Sequence, residues 1–267
     1  MRLSLTKHHG LGNDFLVLFD DQELPDVPLG ELARRLCDRR RGIGADGLIL
    51  GVTSPGDGAD LAMVLHNGDG SRAEMSGNGI RCLAQAWVRR GPLAIETVLI
   101  ATDAGRRVVE VRPGPDDRTI LASVSLGAAR LIRPPAGWDA LGCDPGRPVA
   151  HLSLGNPHAV VAVDDVDDID LAALGAQVPD VNLEVVAAGP GRDAITMRVH
   201  ERGAGITEAC GTGAAAAAHA AHAWGLADAI DGEITVHMTG GDAKVRVGDE
   251  LVLIGPATYI AHLEVPT

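Results

Sequence analysis

One six-residue pattern occurs twice, and each copy opens a helix. Glu74-Met75-Ser76-Gly77-Asn78-Gly79 leads into Ile80-Arg81-Cys82-Leu83-Ala84, and Glu208-Ala209-Cys210-Gly211-Thr212-Gly213 leads into the alanine run Ala214 to Ala218. Both copies read glutamate, one residue, a small nucleophile-type residue, glycine, a polar residue, glycine, then helix. They stand about half of the 267-residue chain apart, so the simplest account is a duplicated unit with one helix start per half. One copy carries a hydroxyl and the other a thiol.

Each copy offers a helix N-terminus, with unpaired backbone N–H groups and the positive end of the helix dipole pointing at whatever lies there. Glycines in front let an anionic group approach the backbone closely. Such an end suits a carboxylate. It is also expected to draw the pKa of a cysteine down from roughly 8.5 toward neutrality, which makes Cys210 a candidate thiolate.

A hydrophobic content of 46% is enough for a core, but with 2% aromatics that core must be built from Val, Leu, Ile and Ala. The net charge of −13 argues against nucleic acid or an anionic membrane surface as partner. No apolar run approaches the roughly 20 residues of a membrane span, and Met1 to Gly12 lacks a signal-peptide core, so a cytoplasmic enzyme is expected. Cys37, Cys82, Cys143 and Cys210 show neither C-x-x-C nor metal-type spacing, which predicts no disulfide framework and no metal.

Along the chain, Arg2 to Phe19 reads as strand, tight loop at Gly10 to Asp14, and strand. Pro28 to Cys37 reads as a helix, with Leu29, Leu32, Ala33 and Leu36 at helical spacing. Strands at Leu48 to Leu50 and Leu61 to His66 follow. In the first duplicated helix Ile80, Leu83, Ala84, Trp87 and Val88 form an apolar stripe that stops at Gly91-Pro92. Strands are expected over Ala94 to Ala101, Arg107 to Val111 and Thr119 to Val124.

The proline-punctuated stretch Ala128 to Pro148 lies where the second half begins. That half repeats the order: strands at Ala150 to Leu154 and Ala159 to Val163, a helix at Ile169 to Ala176, and strands from Asn182 and over Ala194 to His200. The second duplicated helix is alanine on every side up to Trp224, which predicts a buried helix sheathed by strands. Ile234 to Met238, Lys244 to Val247 and Leu251 to Ile254 finish the half. Tyr259 to Val265 is a separate last strand that returns to the first. The domains are thus 1–124, with 257–267 returning to it, and 125–256.

Two helix starts facing each other, with residues 76 and 210 at their tips, suit removal of a proton from one face of a carbon and its return to the other. Racemases and epimerases need this. The carbanion beside a carboxylate must be stabilised, here by helix ends or by pyridoxal phosphate. The latter needs a Schiff-base lysine, and the only lysines are Lys7 and Lys244, neither in a glycine-rich loop. A cofactor-free reaction is expected.

Several stretches, in order over the whole chain, resemble diaminopimelate epimerases: His9-Gly10-Leu11-Gly12-Asn13-Asp14-Phe15, Gly42-Ile43-Gly44-Ala45-Asp46-Gly47, Asn67 through Cys82, Gly155-Asn156-Pro157-His158, and Glu201-Arg202-Gly203-Ala204-Gly205 through Gly213. The resemblance implies an α/β (α+β) fold of two pseudo-symmetric domains, each a curved, barrel-like mixed sheet around a central helix. It implies a homodimer and a cofactor-independent isomerase that interconverts LL- and meso-2,6-diaminopimelate in lysine and cell-wall biosynthesis. By the same resemblance Cys210 is one proton-transferring thiol, and Ser76 takes the place of the other. Gly77, Asn78, Gly211 and Thr212 would bind the reacting carboxylate, and Asn13, Asn67, Asn156, Asn182, Glu201 and Arg202 the rest of the substrate. His158 and Glu201 match the groups that tune the thiols.

Two positions depart from the family pattern. Gly47 stands where many members carry a substrate-contacting glutamine. Ser76 stands in place of a cysteine, and a helix dipole worth about 1 kcal/mol does not turn a hydroxyl into an alkoxide. Cys82 is no substitute, six residues on and on another face of the helix. Ser76 therefore reads more readily as a replaced cysteine than as a native serine, and predicts an impaired epimerase. The rival readings are a proline racemase, a hydroxyproline epimerase or a phenazine-pathway isomerase of the same fold, a one-base dehydratase, and a non-catalytic amino-acid-binding protein.

Overall fold

The computed structural model describes residues 2–56, 58–91 and 96–266, and the chain falls into two compact units, 1–124 with 255–267, and 125–254. In the first unit, β1 (Arg2–Gly10) and β2 (Asn13–Phe19) form an antiparallel hairpin, followed by α1 (Leu29–Cys37), β3 (Gly47–Val52), β4 (Leu61–Asn67) and the two-residue β5 (Arg72–Ala73). Next come α2 (Gly77–Val88), β6 (Glu96–Thr102), β7 (Gly105–Pro113) and β8 (Thr119–Gly127). Among the described strand pairs of this unit, β2 with β3 and β4 with β6 are parallel and the others antiparallel. The sheet is mixed, and α2 packs against β1, β2, β3, β4, β6 and β7.

The second unit repeats this plan. After β9 (Arg130–Leu131) and a short 3-10 turn (Trp138–Leu141) come β10 (Val149–Ser153), β11 (Pro157–Ala162), α3 (Leu171–Gly175), β12 (Asn182–Ala188) and β13 (Ala194–Glu201). They are followed by β14 (Gly205–Thr207), α4 (Gly211–Ala223), β15 (Glu233–Met238) and β16 (Gly241–Arg246). The parallel pairs recur at the same places, β11 with β12 and β13 with β15. The strand β17 (Leu251–Pro266) ends the chain.

β17 departs from the expected two strands. It runs unbroken for 16 residues, pairing with β16 through Lys244↔Ile254 and with β1 from His9↔Thr258 to Arg2↔Pro266. Gly255-Pro256 lies between the two expected strands and does not interrupt the observed one, because extended backbone suits proline wherever no ladder N–H is required of it. The helix expected over Ile169 to Ala176 shrinks to five residues, since Asp170 caps it by accepting from Ala173 N. The first two residues of the strand expected from Ala94, and Pro92 at the helix stop, lie outside the described residues.

β2 is buried along almost its whole length, because it has a layer on each face. Leu16 and Leu18 pack with Leu3, Leu5, Leu32, Leu36, Leu48 and Leu50 in a core beneath α1. Phe15 and Val17, on the other face, are also buried. A strand covered on both sides reads as a continuous apolar run. The sheath around α4 explains its composition: Ala214 to Ala218 have no exposed surface, and α4 meets β10, β11, β12, β13, β15 and β16. An added methylene there has nowhere to go, at a cost of about 1–3 kcal/mol. Among the described residues no helix is long and apolar enough to cross a membrane.

Candidate active site

Both duplicated helix starts have the same local geometry. Ser76 caps α2, its Oγ accepting from Gly79 N at 3.0 Å, and Cys210 caps α4, its Sγ accepting from Gly213 N at 3.4 Å. A glycine three residues past the cap is required in each. A Cβ at Gly79 would lie 3.1 Å from Ser76 Cβ, and one at Gly213 would lie 3.2 Å from Cys210 Sγ and 2.6 Å from Glu184 Oε1.

In the first unit the turn before β2 presents Asn13 beside α2. Leu11 (φ 56) and Gly12 (φ 84) both take the left-handed conformation of a tight two-residue hairpin. Asn78 Nδ2 donates to Asn13 Oδ1 at 3.2 Å, and Asn13 Nδ2 donates to Asp46 Oδ2 at 2.8 Å. Asp46 is held by Arg39, which also pairs with Asp14, itself bridged to Lys7. Asn67 ends β4 opposite Gly47, its Nδ2 donating to Ser71 Oγ. Gly47 leaves no room for the glutamine of the family pattern: its Cβ would lie 2.9 Å from His66 O and 3.1 Å from the Phe15 ring.

In the second unit the expected residues form a hydrogen-bonded line. His158 Nδ1 lies 2.7 Å from Glu184 Oε1 and Nε2 lies 3.1 Å from Asn156 Oδ1. Asn156 Nδ2 donates to Thr212 Oγ1 at 3.1 Å, which is 3.6 Å from Cys210 Sγ. Asn182 accepts from Arg202 N through Oδ1, and Glu201 accepts from the Thr207 hydroxyl. Arg202 itself is exposed. Gly211 and Thr212 form the first turn of α4, and Gly77 and Asn78 that of α2.

The thiol differs from expectation. Burial pushes Cys210 well above the ordinary thiol range, and the carboxylates of Glu201 and Glu184 push it further. The Gly213 N–H and the Thr212 hydroxyl pull it down without prevailing. A helix start stabilises a thiolate by about 1 kcal/mol, and complete desolvation beside two carboxylates outweighs that. Cys82, also buried, is pushed up to about 12.

Glu184 was not expected in the site. It and His158 are fully buried, its carboxyl is raised by burial and lowered by His158, and Oε2 meets no hydrogen-bond partner among the described residues. The first unit builds the matching places without such a pair. Phe15 lies opposite Gly47 in the parallel pair β2 and β3, as His158 lies opposite Asn182 in β11 and β12. Two residues on, Ile49 lies under Gly79 as Glu184 lies under Gly213. One unit fills these places with Phe and Ile, the other with His and Glu. A glutamate between Leu183 and Val185 in an apolar strand is the signal that could have found it. Among the described residues no three His, Cys, Asp or Glu side chains are grouped to hold a metal ion.

Comparison with known proteins agrees with the motifs. The family model for diaminopimelate epimerase matches residues 5–132 and 151–260. The diaminopimelate epimerase of Desulfitobacterium hafniense is 38% identical, covering 97% of this chain and 96% of its own length. That of Heliobacterium modesticaldum is 36% identical over 99% and 100%. Among solved structures, a phenazine biosynthesis protein of the PhzF family from Bacillus anthracis superposes with a TM-score of 0.76 at 15% identity, covering 100% of both chains. A hydroxyproline epimerase from Agrobacterium vitis, with bound trans-4-hydroxy-L-proline, gives 0.68 at 14% identity, covering 99% of this chain and 92% of that one. At those identities the likeness is one of fold.

Proposed function

The chain belongs to the diaminopimelate epimerase family, and we propose that its reaction is the cofactor-independent interconversion of LL- and meso-2,6-diaminopimelate. In this reading a proton leaves the substrate carbon toward one helix start and returns from the other, with Cys210 at one and Ser76 in the place of the second thiol. The observation that carries it is the repeated helix start, each capped by a side chain of the proton-transferring kind and each with glycine-flanked backbone N–H groups. Those N–H groups suit a carboxylate whose charge grows as the carbon is deprotonated, which is where preorganised donors act most strongly.

The roles divide by chemistry. Gly77, Asn78, Gly211 and Thr212 receive the reacting carboxylate, while Asn13, Asn67, Asn156 and Asn182 supply amide contacts. Arg202 suits the distal carboxylate and Glu201 the ammonium. His158 and Glu201 act on the thiol's ionisation, and Glu184 acts through His158. Each unit carries one copy of the duplicated helix start, and two copies of the chain make a homodimer.

The Ser76 hydroxyl is a far weaker acid than a thiol, so the chain as it stands epimerises poorly. Restoring the thiol tests this directly. Ser76→Cys is expected to raise the rate of LL-to-meso conversion by at least a hundredfold, in the range that one acid–base group contributes. An unchanged rate would remove the two-thiol assignment. Ser76 also favours one other reading, a one-base reaction on the same fold. It would appear as loss of a group from a substrate, with no gain on Ser76→Cys.

A further inference from the structure

Arg81 is a charged side chain with no exposed surface, and neither the motifs nor the proposed reaction give it a task. It lies on α2 one turn beyond the cap. Its Nη1 donates to Gly77 O at 3.1 Å, its Nε to Pro256 O at 3.2 Å and its Nη2 to Asn78 Oδ1 at 2.8 Å. Among the described residues no carboxylate lies within ion-pair distance of it. Burial lowers its pKa to about 10, which leaves it a cation at neutral pH. Burying such a charge without a counter-ion costs several kcal/mol.

The chain makes room for this cation. A Cβ at Gly10 of β1 would lie 3.1 Å from Nη2, and one at Gly255 of β17 would lie 3.2 Å from Cζ, so glycines on two strands let the backbone close over the guanidinium. The duplicated frame does not need it. The fifth residue past the cap is Arg81 in α2 and Ala215 in α4, and Ala215 is buried as completely. A costly charge kept in one copy only points to use rather than to folding.

Its hydrogen bonds show what it fixes. Arg81 has only donors and Asp46 only acceptors, and the two amides between them must follow. Asn78 turns Oδ1 to Arg81 and Nδ2 to Asn13, and Asn13 turns Oδ1 to Asn78 and Nδ2 to Asp46. Neither amide can flip without setting donor against donor or acceptor against acceptor.

We propose that Arg81 is a positioning residue which, with Asp46 at the far end of the line, locks the amides of Asn78 and Asn13 in one orientation and supplies a fixed positive charge behind the start of α2 for a ligand carboxylate. The choice of ligand rests on the function proposed above; the lock does not.

The test has two readouts. Titration calorimetry of the unaltered chain with LL-diaminopimelate gives a reference Kd. Arg81→Met is expected to weaken binding at least tenfold, with Arg81→Lys, which keeps the charge and loses the planar fork, recovering part of it. NMR of the Asn13 and Asn78 side-chain amides needs no ligand. One slowly exchanging set is expected in the unaltered chain, and line broadening or a second set in Arg81→Met. A purely structural arginine would lower the melting temperature and leave Kd and the amide spectra unchanged, and that result overturns the proposal. If Arg81→Met does not fold, Asp46→Asn opens the other, half-exposed end of the line. It should broaden the same resonances, and unchanged amides there overturn the proposal equally. Failure of the unaltered chain to bind diaminopimelate would count against the proposed function, while the amide spectra would still decide the lock.

Discussion

Replacing the buried His158–Glu184 pair with the residues that the first unit uses tests whether this polar pair is kept for chemistry. Glu184→Ile alone removes the partner of His158 Nδ1, now 2.7 Å from Oε1, and strands a ring with no exposed surface. An unsatisfied buried donor costs about 1–3 kcal/mol, and a charge left buried without its partner costs more. The isoleucine returns part of this as buried apolar surface, so a net loss of about 2–4 kcal/mol is expected. His158→Phe with Glu184→Ile removes both polar partners and copies Phe15 and Ile49. Replacing a whole buried pair by apolar groups is often neutral or stabilising, so the double variant should lie within about 1 kcal/mol of the parent or above it. With His158→Phe alone as the fourth corner, a double-mutant cycle should show the double variant more stable than the sum of the two single losses, by more than the roughly 0.5 kcal/mol within which independent sites add. Urea unfolding followed by the fluorescence of Trp138 and Trp224, both in the second unit, measures it. A double variant less stable than Glu184→Ile would show that the strand cage of this unit requires the pair, and the comparison between copies would lose its force.

Three further outcomes follow from the site and its surroundings. α-Hydrogen exchange from diaminopimelate in deuterated water should climb as pH rises from 7 through 9, because the Cys210 thiol is pushed upward by burial and only its thiolate is a base; a flat profile would mean that another group accepts the proton. Burial lowers the pKa of His8 from 6.5 to about 4, outweighing the hydrogen bond from its Nδ1 to Gln85 Oε1 at 2.8 Å, which raises it. Its unfolded form binds a proton first, so this stability is present above pH 6.5 and is lost, by about 3 kcal/mol in all, as pH falls toward 4; urea melts of the parent and His8→Gln should converge over that window. Gly47→Gln, which restores the family's residue, should destabilise by about 1–3 kcal/mol rather than restore a contact, since its Cβ meets a backbone oxygen at 2.9 Å; a melt at or above the parent's would show that Phe15 moves aside.

The helix starts were legible because their requirements are local. A capping side chain, a glycine three residues on and an apolar run can all be read within ten residues, as at Ser76 and Cys210. The burial of α4 followed from composition, because a helix that is apolar on every side is a buried one. What could not be read was what depends on distant residues. The continuity of β17 comes from the distant strands β16, β8 and β1 pairing along it, which carry it past Gly255-Pro256. The ionisation of Cys210 was misjudged because the helix end is visible in sequence, whereas the burial that overrides it comes from strands far away in the chain. Arg81 and Glu184 passed unnoticed for the same reason, since the Gly10 and Gly255 backbones and the His158 ring that define them are remote in sequence.

The two copies share a frame and differ in what charge they bury. Beneath the start of α2 is a cation, Arg81, bonded through Asn78 to Asn13. Beneath the start of α4 is a carboxyl, Glu184, bonded through His158 to Asn156. A fixed cation behind a helix start strengthens its hold on an anion at all pH values near neutrality. The Glu184 carboxyl is raised by burial and lowered by His158, and its charge bears on Cys210 from within the same unit. On the proposed function, the duplication separates two tasks that a single helix start would have to combine, anchoring an anion and adjusting the proton affinity of a thiol. On this division, charge changes at Arg81 should move ligand affinity and leave the pH profile of hydrogen exchange in place. Changes at Glu184 should move the profile and leave affinity within about threefold, a small effect on the scale where tenfold is 1.4 kcal/mol. Measured on one set of variants, the opposite pattern would show that the two buried charges are not divided in this way.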